Sequence, residues 1–432
     1  MNARRSFGFL DHFALWASLG AGLYLMPFGA LLVPALSIEQ AVLATMVAGL
    51  LGGLIIAAIA GIASNTGRST AELLSEPFGG RGRWPIGLLL VARHLLFTLF
   101  AVVLIADAAE LISERSLGAG LRPVWVTLFA AVGLGLATMG PDRLSVGLRR
   151  VGLWLILLVA LAISVSAYAE FEIPAYLKRP AAGGWPSFWQ ATDVMLVFPL
   201  LWLPVVADFA RKGRESLTAA RGSFAGVFVA SVWFGTLGIL YLPATDSGDI
   251  PGFLVGMQLG LGALVLLFVL QIDEIYASAY ATVPAFELLG TGTRARLAAA
   301  ALVVVVSPAA LLTHLGDLEG YVLLVAALFI PAFAIVISRA CWAVPRPISV
   351  PLLAWLAGFL LYQWISPSEI GWWQDAFSFP FEAAGLSFPL SDRVTWLGAA
   401  IPSFLLAFAV DLVVPASWRV FPVQRQKQRA AE

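Results

Sequence analysis

Apolar stretches of about 20 residues, the length a helix needs to cross a bilayer, recur along the entire chain. They fall near positions 13–34, 38–63, 85–112, 122–140, 148–168, 188–209, 222–243, 252–288, 297–314, 319–343, 349–366 and 394–416. In hydrocarbon every backbone N–H and C=O must be satisfied within the protein, so only helices and closed barrels span. Runs this long and this continuously apolar read as helices, giving an all-α membrane protein. Hydrophobic residues make up 60% of the chain and charged residues 12%. That balance excludes a soluble reading and makes the lipid bilayer the first partner. A formal net charge of +0 leaves no basic patch for nucleic acid.

Basic residues set the orientation. Of the 26 lysines and arginines, 20 fall in the terminal segments and in the loops on the same side as them, and five on the other. Both termini are therefore expected in the cytoplasm, in a cytoplasmic (inner) membrane, with Arg4 and Arg5 anchoring the first span. The single cysteine, Cys341, excludes internal disulfides and is expected as a buried thiol in its apolar run. The stretch 367–393 is aromatic and proline-bearing, and Trp372 and Trp373 suit the outer membrane interface.

Two spans carry signs of interruption. The sixth reads Val197-Phe198-Pro199-Leu200-Leu201-Trp202-Leu203-Pro204 at its centre, and each proline removes a backbone donor. A packing kink accounts for such prolines. So does a discontinuous helix, whose freed carbonyls line a solute site. The first span reads Ser18-Leu19-Gly20-Ala21-Gly22-Leu23-Tyr24-Leu25-Met26-Pro27, which offers either a small-residue packing face or the same mid-membrane break. The two interruptions lie five spans apart. Five is odd, so spans one to five and six to ten enter from opposite sides, as inverted repeats do.

Charged groups inside a span cost about 2.5–3.5 kcal/mol each on insertion scales and mark pathways by default. Span eight holds Gln271, Asp273, Glu274 and Ser278. At about 100° per residue, Gln271, Glu274 and Ser278 share a face, while Asp273 turns to its neighbour. A carboxyl removed from water is more easily kept protonated, so Asp273 or Glu274 is the expected proton-coupling group. A structural pair near a membrane end is the alternative. In span three, Arg93 either neutralises an acid of span eight or meets an anionic substrate, and His94 is a hydrogen-bonding residue or a proton relay. Asp208, with Arg211 and Lys212, stands as a gate at the cytoplasmic mouth or as a weak exposed pair. Asp107, Glu110, Asp193 and Asp411 sit near span ends, where solvation is expected.

Three stretches resemble the nucleobase:cation symporter-1 family, and within it the cytosine permeases. They are Thr66-Gly67-Arg68-Ser69-Thr70-Ala71-Glu72-Leu73-Leu74 with Phe78-Gly79-Gly80-Arg81-Gly82-Arg83-Trp84-Pro85, then Val206-Ala207-Asp208-Phe209-Ala210-Arg211-Lys212, then Ile275-Tyr276-Ala277-Ser278-Ala279. The resemblance implies a five-plus-five inverted-repeat core over 1–343, with two peripheral helices and a tail over 344–432. It implies alternating access and a flat heterocyclic substrate held between spans one, three, six and eight. The residues so placed are Gly20, Gly22, Tyr24, His94, Phe97, Phe198, Trp202, Gln271 and Ser278. The chain departs from the family where a span-three tryptophan usually stacks on the substrate, since Arg93-His94-Leu95-Leu96-Phe97 stands there. Sodium-coupled members supply hydroxyls from span eight. Here Leu266-Leu267-Phe268-Val269-Leu270 precedes Gln271 without Ser or Thr, which favours a proton over sodium.

An enzyme would need a convergent nucleophile or metal set. His12, His94 and His314 lie on different spans, and no phosphate loop or dinucleotide fingerprint appears. No cofactor, metal or obligate protein partner is expected. A permease importing a nucleobase or a pyrimidine-type vitamin precursor is the leading reading, with a sodium-coupled symporter, a sensor or a channel as alternatives.

Overall fold

The computed structural model describes residues 6–22, 25–137, 147, 151–170, 177–241, 262–342 and 347–413. The first span is a broken pair, α1 (Phe9–Leu19) and α2 (Leu25–Ala30). The second is α3 (Ile38–Thr66), followed by the short α4 (Thr70–Ser75). Spans three, four and five are α5 (Gly79–Leu117), α6 (Arg122–Ala137) and α7 (Leu153–Glu170). The sixth is again a pair, α8 (Phe188–Leu200) and α9 (Leu203–Ala210). Spans seven to ten are α10 (Ser216–Tyr241), α11 (Gly262–Leu288), α12 (Ala295–Leu312) and α13 (Gly316–Cys341). The last two are α14 (Ser349–Ile365) and α16 (Ala400–Val413), with α15 (Gly371–Ala383) between them. A helix therefore stands at each expected span, and α11 is continuous; positions 252–261 lie outside the described residues.

Among the described residues five helices are long and apolar enough to cross a membrane, and the bent α8–α9 pair makes a sixth. Their ends carry the expected punctuation. Ser37 and Gln40 form a reciprocal capping box at the start of α3, as do Ser187 and Gln190 at α8, satisfying donors that would otherwise be orphaned. Gly67 and Gly118 end α3 and α5 at φ +72°, a left-handed conformation that side chains resist.

Packing follows the repeat. Helix α3 lies against α10, α5 against α11 and α6 against α12, so spans two, three and four each meet the counterpart five positions on. This sorts the core into two sets. Spans one, two, six and seven form one, and spans three, four, eight and nine the other. Helices α14 and α16 pack on α13 and on each other.

Loops expected on one side of the membrane touch one another. Phe7 pairs with Gly213 in an isolated parallel bridge, Arg214 Nε donates to the Ser6 carbonyl and Arg83 to the Leu288 carbonyl. At the opposite end Arg122 donates to Asp107 Oδ1 at 2.8 Å and to the carbonyls of Leu311 and Thr313, tying spans three, four and nine together.

Several solvation expectations are overturned. Asp193 is buried and accepts from the backbone N–H groups of Ala399, Ala400 and Ile401 at 2.7–3.4 Å. It caps α16 from span six, because the tertiary fold sets that helix start over it. Asp411 is fully buried and accepts from Ser338 Oγ at 2.8 Å and from Arg339. Helix α16 is thus held by a carboxylate near each end. Cys341, expected to be buried, is exposed, because it is the last residue of α13 and lies beyond the packed part of that helix. Trp373 stacks on Phe377 and donates to Gln363, while Trp372 is exposed.

Candidate functional site

The break in span six follows from its prolines. Pro204 has no N–H to offer the Leu200 carbonyl, and Val205 N bonds to the Trp202 carbonyl at 2.9 Å rather than to Leu201, one residue earlier. The Leu201 carbonyl is thereby freed, and the axis bends by 42° between α8 and α9. A freed carbonyl at membrane depth requires a protein donor. Arg93 Nη2 of α5 supplies it at 2.8 Å.

Arg93 is not paired with an acid of span eight. Among the described residues no carboxylate lies within ion-pair distance of it, and its partners are the Leu201 carbonyl and His94 Nδ1, at 3.1 Å from Nη1. Its guanidinium lies 3.8 Å from the Phe97 ring centroid and 5.7 Å from that of Trp202, within cation–π range. Phe97 and Trp202 meet edge to face at 6.4 Å. Four residues expected at the site, from spans three and six, therefore form one buried cluster.

Span eight meets the break in span one. A methyl added at Gly22 would lie 2.8 Å from Glu274 Oε1 and 3.0 Å from Phe198 Cζ. The glycine thus lets a carboxyl and an aromatic ring close on the chain between α1 and α2. Asp273 is also buried and lies beside Ser18, in the last turn of α1. Both acids therefore face span one, although they leave α11 in different directions. Gln271 and Ser278 are buried on the same helix.

Gly20 falls elsewhere. Its φ is −78°, open to any residue, and a methyl there would lie 2.9 Å from Ala230 Cβ of α10. It packs against span seven. Tyr24 lies outside the described residues.

Asp208 is buried, but no ion pair to Arg211 forms within 4.0 Å among the described residues. Its carboxylate instead accepts from Thr70 N at 3.2 Å, at the start of α4. Arg211 turns to the phenol of Tyr280 on α11. Between them Phe209 packs on Tyr280 and Tyr276, with centroids 5.0 and 6.3 Å away, and the two tyrosine rings stack at 6.0 Å. Asp208 and Arg211 thus belong to an aromatic and polar cluster joining α9, α4 and α11. Ser18 and the Phe209–Tyr276–Tyr280 stack were not singled out from the sequence. A hydroxyl or an aromatic at helical spacing reads as packing until the partner helix is known.

Among the described residues no cluster of His, Cys, Asp and Glu could hold a metal ion. No family model matches the chain, and no curated protein matches it by sequence. Solved structures do match. Mhp1, described as a nucleobase-cation-symport-1 family transporter and solved closed with bromovinylhydantoin bound, has a TM-score of 0.66 at 15% identity, over 95% of this chain and 92% of that one. Its inward-facing form has a TM-score of 0.65 at 16% identity, over 99% and 95%. MhsT in complex with L-phenylalanine has a TM-score of 0.58 at 14% identity, over 93% and 97%. The chain therefore has the all-helical inverted-repeat fold of these structures, with discontinuous helices one and six and two peripheral spans.

Proposed function

We propose that this chain is a secondary transporter that imports a small planar heterocycle, of the nucleobase or pyrimidine-type vitamin-precursor class, by alternating access coupled to protons. The observation that carries this reading is the meeting of the span-one break at Gly22 with buried Glu274 and the Phe198 ring of broken span six. That meeting lies between the two helix sets, where relative motion would open the site to one side and then the other. Aromatic faces at Phe97, Phe198 and Trp202 suit a flat solute. Glu274 and Asp273, lodged against the first span, are the groups to carry the proton. Gly22, His94, Gln271 and Ser278 complete the substrate contacts, and Asp208 with Arg211 closes the cytoplasmic exit through α4 and Tyr280.

Uptake into proteoliposomes of labelled nucleobases, hydantoins and pyrimidine vitamin precursors, under imposed pH or sodium gradients, tests the reading. Accumulation driven by an inward proton gradient is expected. Sodium-driven uptake indifferent to pH overturns the proton assignment, and saturable binding without uptake replaces transport with sensing.

Residence in the cytoplasmic membrane with both termini inside is part of the same proposal. Exposed Cys341 ends span ten on the cytoplasmic side in that topology. A membrane-impermeant maleimide is expected to label it in permeabilised cells only; labelling of intact cells reverses the topology.

A further inference from the structure

Arg93 is 1% exposed, and among the described residues no carboxylate pairs with its positive charge at ion-pair distance. The acids whose charges reach it are Glu274 and Asp208. Glu274 is turned to Gly22 and Asp208 accepts from Thr70 N, and neither comes within ion-pair distance. A buried guanidinium without a counter-charge is costly, so some group is expected to supply one.

The donors next to it are incomplete as well. Nε of Arg93 and Nε2 of His94 are both buried without a hydrogen-bond partner among the described residues. Nη1 of Arg93 donates to Nδ1 of His94. Nδ1 therefore acts as the acceptor, which leaves the ring proton on Nε2. Two adjacent residues of α5 thus hold two unsatisfied N–H donors and one uncompensated positive charge, beside the rings of Phe97 and Trp202. Buried donors left unmade carry the full desolvation cost of each group. Such a site favours oxygen acceptors that bear negative charge.

We infer that the substrate is a planar monoanion, whose carboxylate or equivalent ionised oxygen takes the charge of Arg93 and the free N–H groups of Arg93 and His94. Its ring then lies against the aromatic side chains of span six. This inference rests on the transport reading above and narrows its substrate class from flat heterocycles in general to acidic ones.

The test compares matched acid and neutral pairs on the full-length protein in proteoliposomes, namely orotate against uracil and nicotinate against nicotinamide. Uptake competition and equilibrium binding are both measured. The acid of at least one pair is expected to bind about 10- to 100-fold more tightly than its neutral partner, the range of one charge-assisted hydrogen-bonded contact. Arg93→Gln, which removes the charge and the guanidinium donors, should abolish that preference, and Arg93→Lys should retain part of it. Equal or weaker binding of both acids in the native protein overturns the inference without recourse to any variant. So does an acid preference that survives Arg93→Gln. Uptake of uracil or nicotinamide with exclusion of the acids removes the anion assignment and leaves the transporter standing. Neither uptake nor binding of any probe removes both.

Discussion

Glu274→Gln is expected to abolish accumulation driven by a pH gradient while leaving exchange of internal for external substrate measurable. One proton moved per substrate across one pH unit supports about tenfold accumulation, and the glutamine should reduce that to the equilibrium level. The physical ground is placement. The carboxyl lies buried against the chain at Gly22, so its ionisation state changes the charge at the meeting point of both broken helices. Gly22→Ala is the steric companion. The added methyl would sit 2.8 Å from Glu274 Oε1 and 3.0 Å from Phe198 Cζ. Both contacts are with side-chain ends that can shift, so the protein should fold while uptake falls by an order of magnitude or more. Counterflow and gradient-driven uptake in the same proteoliposomes separate the two effects. Full accumulation by the Glu274 variant would move the proton site to Asp273 or elsewhere.

Gly238→Val should destabilise the protein by more than about 3 kcal/mol, at or above the upper end of ordinary overpacking. Helices α2 and α10 approach backbone to backbone. A Cβ at Gly238 would land on the carbonyl of Met26, and one at Gly29 on the carbonyl of Gly235. These are main-chain atoms that no rotamer change can move, and small residues at such contacts are what allow helices to associate in lipid. Thermal unfolding in detergent and the yield of monodisperse protein are the readouts. Gly135→Ala is the matched control. It is also a helical glycine, but among the described residues a methyl there meets nothing within 4 Å. The helix gains about 0.5–1 kcal/mol from losing glycine, so the control should be neutral or slightly stabilising. A Gly238→Val protein as stable as that control would mean that α2 and α10 are not in contact as described.

Much of the fold is legible in the residues because the bilayer removes alternatives. Apolar runs of spanning length can only be helices, Pro199 and Pro204 mark where one must break, and an odd spacing between breaks implies inversion. Arg93 and Glu274 are conspicuous because charge is costly in hydrocarbon. Their partners are not visible in the same way. Arg93 was expected either to neutralise an acid or to meet a substrate, yet it bonds to a carbonyl 108 positions away, made available by the proline break in another helix. Asp193 and Asp411 resembled solvated span ends, yet they anchor α16 across separations of 206 and 73 positions. Gly20 and Gly22 are two residues apart in the same motif, and only the neighbouring helices decide which packs against span seven and which meets Glu274.

The sequence by itself determined the membrane class, the span order and which residues are too polar to be idle, because transfer from water to lipid is a property of each residue and its immediate run. The tertiary structure alone decided what those residues do. A hydrogen bond, a cation–π contact or a close backbone approach depends on which helix faces which, and that is set by packing across the whole chain rather than by local composition.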